Sequence, residues 1–465
     1  PYVSSRDNYN GNASLNAINP IQRLSTALFA HYELNDAVEL FAEGLFTHRK
    51  TSQLATPGTL RNLAIPASNP TNPTGQNIML VQRRLIETGD RTAFQNTDTY
   101  QLTGGVRGDF AGSWHWEVAG SWGRNTGSDG FTNVANLERV RNTLNTAVCS
   151  FAAGAAIPCA DYLGAGDVTP AVVAYTTFTS RDTGGNELVS LTADISGRLF
   201  DLPGGPLGIA AGGTYREDSG WRDPDPLTVL GIANTNQQSP IAGTVKVKEA
   251  YLELSAPLLK DLPLIQALTL NGAVRYSDYS LFGGDWNYKV GADWQMGAGL
   301  SVRGTWGTAF RAPAVPELFG GVTQGNLTTT DPCSNYSTST NATLVANCRA
   351  AGVPAGYVQL GNSILTNTGG NINLRPETAE TLTAGVVFQP RFARGLTLTA
   401  DYFDIAIEDG IRAIPGSTKL SLCYNTPGLA QPFCSAQDFT RNTLTAAELQ
   451  RQSSSGTKFQ NPSRN

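Results

Sequence analysis

The sequence is poor in histidine, has little excess of either charge and lacks long apolar runs. Its 465 residues include 3 histidines, and 33 Lys and Arg stand against 38 Asp and Glu, which gives a net charge of −5. A nucleic-acid-binding surface needs a basic stripe, and none occurs, so nucleic acid is not expected as a partner. No run of 18 or more apolar residues occurs, so no helix is expected to span a membrane.

Catalytic motifs are missing as well. The sequence contains no Gly-x-Ser-x-Gly, no His-Glu-x-x-His and no Gly-x-x-x-x-Gly-Lys, and it has too few histidines for a convincing acid–base pair. Two acidic pairs, Glu249 with Glu253 and Asp401 with Asp404, lie on predicted strands, where they are expected to line a wet interior. The protein is therefore predicted not to be an enzyme and to have no catalytic residue, cofactor or metal site.

The cysteines fall into three local pairs that are far apart in sequence. A disulfide within each pair is favoured because closing a short loop costs less entropy than joining distant segments. Metal binding is the alternative, but there is no Cys-x-x-Cys and no histidine near a cysteine. The predicted disulfides imply an oxidising compartment, and they join Cys149 to Cys159, Cys333 to Cys348, and Cys423 to Cys434.

What the sequence does contain is repeated two-residue alternation. In WHWEVAGSWG, Trp114, Trp116, Val118 and Trp122 share one face of a strand, and Glu117 lies on the other. Helical periodicity is nearly absent. The same pattern predicts about twelve strands, near 24–34, 37–49, 97–110, 114–123, 187–200, 206–218, 246–258, 265–279, 286–296, 300–306, 378–390 and 394–408.

The connections between these strands alternate between short and long, except for a short link at 280–285. Long loops rich in Asn, Thr, Gly and Pro are expected near 50–96, 126–186, 219–245, 312–377 and 409–465, and all three cysteine pairs fall in them. Long structureless loops would be unusual in a soluble domain. In an outer-membrane barrel, one rim has tight turns and the other has long extracellular loops.

This combination predicts an all-β protein, a transmembrane antiparallel β-barrel. Lipid cannot hydrogen-bond a peptide group, so a sheet in a membrane must close and leave no edge. A soluble sandwich or propeller is the alternative, because alternation alone does not distinguish a core from lipid. Aromatic residues should mark the membrane interfaces, and the apolar faces carry them near strand ends at Tyr32, Trp114, Trp122, Tyr276, Tyr288, Trp294 and Trp306.

The segment GTWGTAFRAPAVPELFGG, residues 304–321, ends a strand abruptly. Pro313 and Pro316 cannot donate to a strand ladder, so pairing is expected to stop there. Phe310 can pack, while Arg311 and Glu317 can pair with each other or face the interior. Anchoring of a loop and direct contact with a substrate are both open roles for these residues, and anchoring is the simpler one.

GTAFRAPAVPELF resembles the Phe-Arg-Ala-Pro segment of TonB-dependent outer-membrane receptors, which in that family follows a strand as it enters an extracellular loop. Other segments resemble consecutive barrel strands of the same family, and together they cover nearly the whole chain. They are VKEAYLELSAPLL (247–259), LTLNGAVRYSDYS (268–280), NYKVGADWQ (287–295), INLRPETAETLTAGVVFQP (372–390) and LTLTADYFDIAIEDGI (396–411). The candidate rim and interior contacts are Phe310, Arg311, Pro313, Glu317, Arg375 and Glu377.

The resemblance implies a receptor in the outer membrane of a Gram-negative cell that takes up a scarce ligand, such as an iron–siderophore complex, cobalamin or an oligosaccharide. Its implied partners are outer-membrane lipid, the ligand, and an inner-membrane TonB energy complex that adds a strand to an N-terminal segment. A passive porin without a plug domain and a soluble all-β binding protein are the alternatives. Loop aromatics could stack on a ligand or pack the loops together, and these are Tyr162, Trp221, Tyr336 and Tyr357.

The resemblance also implies that residues 1–465 are an internal fragment of a barrel domain. The chain starts at Pro1 and stops at Asn465, and neither a plug nor the usual closing strand is visible. About twelve strands are expected, against the roughly 22 of a plugged transporter barrel. A sheet cut on both sides exposes unpaired edges, so the fragment alone is not expected to form an ion-tight, ligand-transporting barrel.

Overall fold

A computed structural model describes residues 9–11, 15–164, 168–359, 363–430, 434, 439–441 and 453–460. Its main element is a 12-stranded sheet in which each paired neighbour is antiparallel. As predicted, the chain is all-β with twelve such strands. They are β1 (Ile21–Asn35), β2 (Val38–Ala55), β5 (Arg91–Phe110), β6 (Trp114–Ala135), β7 (Thr177–Leu202), β8 (Gly205–Asp223), β9 (Ile241–Leu262), β10 (Ile265–Tyr279), β11 (Gly283–Gly297), β12 (Leu300–Arg311), β15 (Glu377–Phe388) and β16 (Leu398–Glu408).

Smaller elements lie between these strands. The remaining strands are β3 (Thr59–Ile65), β4 (Ile78–Arg84), β13 (Thr323–Thr328), β14 (Ser363–Gly369), β17 (Arg412–Ala413), β18 (Phe439–Arg441) and β19 (Ser453–Gln460). The α-helices are α1 (Leu137–Asn142), α2 (Pro170–Thr176), α3 (Pro226–Val229), α4 (Val315–Phe319), α5 (Ala342–Ala350) and α6 (Gly416–Asn425). Short 3₁₀ helices span Ile86–Thr88, Tyr336–Thr338 and Pro427–Leu429. In the described part of the chain, no helix is both long and apolar enough to cross a membrane.

Tight turns join the strands at one end of the sheet, as the sequence predicts. Only Ala298 and Gly299 lie between β11 and β12, and Gly299 has a φ of 86°. A Cβ on Gly299 would stand 1.8 Å from the carbonyl oxygen of Gln389, so only glycine fits this turn. The long connections, and with them all three cysteine pairs, lie at the opposite end of the sheet.

The two faces of the sheet differ in polarity. On the outer face, apolar side chains such as Leu102, Leu270 and Val290 are exposed. From one strand to the next, the aromatic side chains of this face are shifted along the register. Such a shift is expected where tilted strands cross a band that is level with the membrane. The band at the long-loop end contains Phe46, Tyr100, Trp122, Tyr215, Tyr276, Trp286, Tyr288, Trp306 and Tyr402.

Several strands run beyond their predicted ends at the long-loop side. β6 continues to Ala135 and β7 begins at Thr177, inside the predicted loop 126–186. Apolar alternation stops where the outer face no longer needs to be apolar, but the backbone ladder continues, with Ser128 still opposite Thr183. The sequence pattern therefore reports the apolar band of each strand and not its full hydrogen-bonded length.

Two of the long connections fold together into a compact cluster, here called the first loop unit. It contains the β3–β4 hairpin, α1, α2 and the predicted Cys149–Cys159 disulfide. The side chain of Asn136 accepts a hydrogen bond from the amide of Arg139 and so caps α1. The buried core of the first loop unit contains Leu60, Leu63, Ile65, Leu85, Val140, Leu144, Tyr162 and Val172.

A second cluster, the second loop unit, contains α5 and α6 and both remaining predicted disulfides. Asn341 caps α5 by accepting a hydrogen bond from the amide of Leu344. The disulfide cysteines have Cα atoms 5.7 Å apart at Cys333–Cys348 and 5.5 Å apart at Cys423–Cys434. The buried core of the second loop unit contains Tyr336, Val353, Tyr357, Ile364, Leu420 and Tyr424.

The connection between β8 and β9 bridges the two clusters. On one side, the amide of Leu137 donates to the carbonyl of Ile232 at 2.7 Å. On the other, the amide of Gln324 in β13 donates to the carbonyl of Gln237 at 2.8 Å. The long connections are thus joined by hydrogen bonds into one structure, here called the collar. Their apolar residues are numerous enough to form the buried cores of the two loop units.

Candidate functional site at the long-loop end of the sheet

The predicted rim residues converge on one arginine. Arg311 is the last residue of β12, and its guanidinium donates to Glu317 of α4 and to Glu377, the first residue of β15. The Arg311–Glu317 contact measures 3.0 Å from Nη1 to Oε2. One side chain thereby ties a strand end, the helix that follows it and the next strand of the sheet.

Both carboxylates also accept backbone hydrogen bonds. Glu317 Oε2 accepts from the amide of Ala314 at 2.7 Å, at the start of α4. Glu377 Oε2 accepts from the amide of Ile411 at 2.8 Å, just after β16. Because each carboxylate serves both Arg311 and a backbone amide, this geometry is that of a loop anchor and leaves few acceptor positions for a ligand.

The remaining predicted residues are divided between packing and surface. Pro313 is buried and Phe310 packs against a cluster that includes Val247, Tyr279 and Leu318. Phe310 meets Tyr279 edge to face, with ring centroids 5.7 Å apart. Arg375 is exposed in the connection to β15. The aromatic and proline residues of the motif thus fasten α4 onto the sheet.

Gly243 of β9 makes this packing possible, which gives a first prediction. A Cβ at Gly243 would lie 2.1 Å from Cδ2 of Phe319, so Gly243→Ala must displace α4. We expect a loss of about 1–3 kcal/mol, the usual cost of overpacking, and faster hydrogen exchange at residues 312–320. Gly272→Ala is the control, because its Cβ would lie 4.0 Å from the nearest atom. Equal exchange in the two variants would contradict the packing described here.

The loop tyrosines, whose role the sequence left open, are buried. Tyr162, Tyr336 and Tyr357 are exposed by only 2%, 3% and 3%. Burial raises the pKa of Tyr162 to about 12, although a hydrogen bond with Thr143 opposes the shift. These three rings pack the loop units, and only Trp221 of the four candidates lies on the outer face, beneath the guanidinium of Arg124.

For the two acidic pairs, the structure agrees with the prediction only in part. Glu249 does face the concave side, where it accepts hydrogen bonds from Arg275 and Ser277, both at 2.6 Å. Asp401 also faces that side and accepts from Arg303 at 2.8 Å. Asp404 does not, because it stands opposite Leu382 on the outer face. An odd sequence separation on a strand places two residues on opposite faces, so the expectation for Asp404 was wrong.

The concave face holds a cavity of about 670 Å³ at the short-turn end of the sheet. Arg107 and Tyr251 contact acidic residues there: the Arg107–Glu39 distance is 2.7 Å and the Tyr251–Asp194 distance is 2.6 Å. Acidic residues outnumber basic ones in the lining, and they are Glu33, Asp36, Glu39, Asp109, Glu117 and Asp194. This end of the concave face is therefore suited to cationic groups.

At the long-loop end of the same face lies a pair of arginines that the sequence reasoning missed. Arg23 of β1 and Arg49 of β2 stand directly opposite each other, and Arg49 donates to Gln95 of β5. The tight turn after Asn35 sets the register of this hairpin, so turn geometry was the signal that could have found the pair.

Comparison with known proteins gives one family and several solved structures. The family model of the TonB dependent receptor-like β-barrel matches residues 44–456. A mutant of the ferric enterobactin receptor PfeA from Pseudomonas aeruginosa is 12% identical over 99% of this chain and 50% of that chain, with a TM-score of 0.50. The siderophore receptor PirA from Acinetobacter baumannii is 12% identical, with 95% and 48% covered and a TM-score of 0.46. No match is found among curated proteins.

This chain spans about half the length of the solved structures that it matches. At 12% identity, the likeness to PfeA concerns the fold. The family comprises outer-membrane receptors and transporters of Gram-negative bacteria and is not a family of enzymes. Because the family model covers most of the chain, in agreement with the strand order and the rim motif, the chain belongs to the TonB-dependent receptor-like β-barrel family.

Proposed function

We propose that the protein is an outer-membrane receptor that takes up a scarce small ligand by energy-coupled transport. The observation that carries the proposal is the family match over residues 44–456 on a sheet with an apolar outer face and a polar concave face. An apolar outer face bounded by an aromatic band fits contact with outer-membrane lipid. The polar concave face and the collar above it then offer the ligand a path shielded from lipid.

The proposed partners follow from the same reasoning. The ligand is a small molecule of the kind that such receptors import, for example an iron chelate, cobalamin or an oligosaccharide. Energy is supplied by an inner-membrane TonB complex, which the receptor contacts through a segment N-terminal to the region in this chain. The protein has no catalytic task in this scheme, and its side chains bind the ligand and release it.

Uptake by whole Gram-negative cells tests the proposal. Cells carrying the full-length receptor should be fractionated to locate it in the outer membrane, and then offered a panel of labelled iron chelates, cobalamin and oligosaccharides. We expect uptake of one ligand to stop when a protonophore collapses the energy supply or when TonB is deleted. Continued uptake under both conditions would indicate a passive pore, and recovery of the receptor in the soluble fraction would overturn the membrane assignment.

A further inference from the structure

The short turn between β15 and β16 carries two arginines and no acidic residue. It spans residues 389–397, QPRFARGLT, in which Arg391 and Arg394 flank Phe392. Of the other five turns at this end of the described sheet, four have an acidic residue in the turn or within three residues of it, and the fifth, between β11 and β12, is uncharged. The acidic residues are Glu33, Asp36, Glu39, Asp109, Asp201 and Asp261. Positive charge without an acid therefore singles out residues 389–397.

The neighbouring turn of the sheet adds no charge. The amide of Gln389 donates to the carbonyl of Gly299 at 2.7 Å, which places residues 389–397 beside the turn between β11 and β12. Residues 294–302, which form that turn and the strand ends around it, contain no charged side chain. The acidic residue nearest in sequence is Asp401, which accepts a hydrogen bond from Arg303 at 2.8 Å. The positive charge at this corner of the sheet thus comes from the turn itself.

Two consecutive hydrogen-bonded turns fix the side chains of this segment. They span residues 390–393 and 393–396, and their closing N–O distances are 3.1 and 3.2 Å. Arg391 and Phe392 occupy the central positions of the first turn, and Arg394 occupies a central position of the second. Both arginines are exposed, and Phe392 is 87% exposed, the largest value for an aromatic side chain in the described part of the chain. The segment thus presents an apolar ring between two cations.

The apolar outer face of the sheet leads directly to this segment. The last cross-strand pair of the hairpin, Phe388 with Leu398, lies on the outer face, and Leu398 and the neighbouring Leu396 are exposed. With the long loops on the outside of the cell, as proposed above, the short turns lie at the inner leaflet of the outer membrane. Aromatic side chains are enriched at the boundary between headgroups and acyl chains. Phe392 and its two arginines are therefore placed to meet the headgroups of that leaflet.

We propose that residues 389–397 bind the headgroup of an anionic phospholipid in the inner leaflet. Guanidinium groups bind phosphate oxygens through paired hydrogen bonds, and basic side chains beside a bilayer are attracted to anionic lipids. Phe392 enters the boundary between headgroups and acyl chains, where its ring leaves water without losing a hydrogen bond. This inference rests on the membrane placement in the proposed function, and it adds a lipid site that is separate from the ligand path.

Fluorescence quenching by brominated lipids tests the site in the full-length protein. The described part of the chain has no free cysteine, so Ala393→Cys allows a fluorophore to be attached inside the segment, and the parent protein corrects for labelling elsewhere. The labelled protein is placed in phosphatidylcholine vesicles that contain either brominated phosphatidylglycerol or, at the same mole fraction, brominated phosphatidylcholine. We expect quenching by the anionic lipid to be at least about threefold stronger, with a difference that falls as sodium chloride rises.

R391Q/R394Q, made in the labelled protein, should abolish the difference between the two lipids. R141Q/R349Q is the matched control, because it removes the same charge from exposed arginines of α1 and α5 at the long-loop end, and it should leave the lipid preference unchanged. Equal quenching by the two lipids, no quenching by either, or equal losses in the two double variants would each overturn the site. The lipid comparison with both arginines present decides the matter even if circular dichroism shows R391Q/R394Q to be misfolded.

These outcomes are separable from the fate of the transport proposal. Energy-dependent uptake by a receptor whose labelled segment shows no lipid preference would refute the site and leave the receptor function standing. A preference for the anionic lipid that is lost in R391Q/R394Q, without any energy-dependent uptake in cells, would support the site and refute the transport function.

Discussion

Ala292→Arg in β11 should destabilise the full-length protein by roughly 2–4 kcal/mol, the cost of an arginine on the lipid-facing side of a membrane barrel near its midplane. On the outer face, Ala292 lies between its cross-strand partners Leu270 and Gly304. It is on the side of the aromatic band that faces the membrane midplane. Its new guanidinium would have to enter hydrocarbon or bend towards the interface. Unfolding in denaturant from lipid vesicles, followed by tryptophan fluorescence, measures the loss.

Two controls separate the faces of the sheet. Ala273→Arg introduces the same side chain on the concave face, where Ala273 lines a polar cavity beside Glu253. Asp293→Asn changes the concave neighbour of Ala292, whose carboxylate accepts a hydrogen bond from Asn271 at 3.1 Å. Both should cost far less than Ala292→Arg. Losses as large as that of Ala292→Arg in both controls would contradict the assignment of the two faces.

Lipid contact is distinguished from burial in protein by two further changes at Ala292. Ala292→Leu should be tolerated, because lipid yields where a packed core does not. Ala292→Cys should react with a lipid-soluble maleimide and resist a membrane-impermeant one. A strongly destabilised leucine variant, together with a cysteine that reacts with neither reagent, would show that this face is covered by protein.

Removal of the Cys333–Cys348 disulfide by C333A/C348A should destabilise the second loop unit by about 3 kcal/mol, the chain-entropy value for a loop of this length. The two cysteines are 15 residues apart, and both are fully buried in the core of that unit. Hydrogen exchange followed by mass spectrometry should show faster exchange in residues 331–359 and 416–429, while the strands of the large sheet stay protected.

C149A/C159A is the matched control for this change. It removes the corresponding bond from the first loop unit, and it should loosen residues 137–164 without altering the second. Peptide mapping of the wild type under non-reducing conditions should recover three linked pairs, Cys149–Cys159, Cys333–Cys348 and Cys423–Cys434. Free thiols at all six positions would contradict the loop structures.

The sequence by itself determined the strands of the large sheet, the turns at its short end and the cysteine pairs. Each of these depends on interactions between residues that are close together in the sequence. Alternation in β6 reads directly as two faces, and a tight turn such as that at Ala298 places β11 beside β12. Local loop closure likewise paired each cysteine with its neighbour in the chain.

Only the tertiary structure decided what the long connections and the charged residues do. Tyr162 and Tyr336 became core residues because segments far apart in sequence fold against each other, and no local pattern reports such contacts. Arg311 meets Glu377 across 66 residues, and Arg23 meets Arg49 only through the hairpin register. Whether a charge is paired is a property of that long-range placement, so the anchor at Arg311 becomes visible only in the folded sheet.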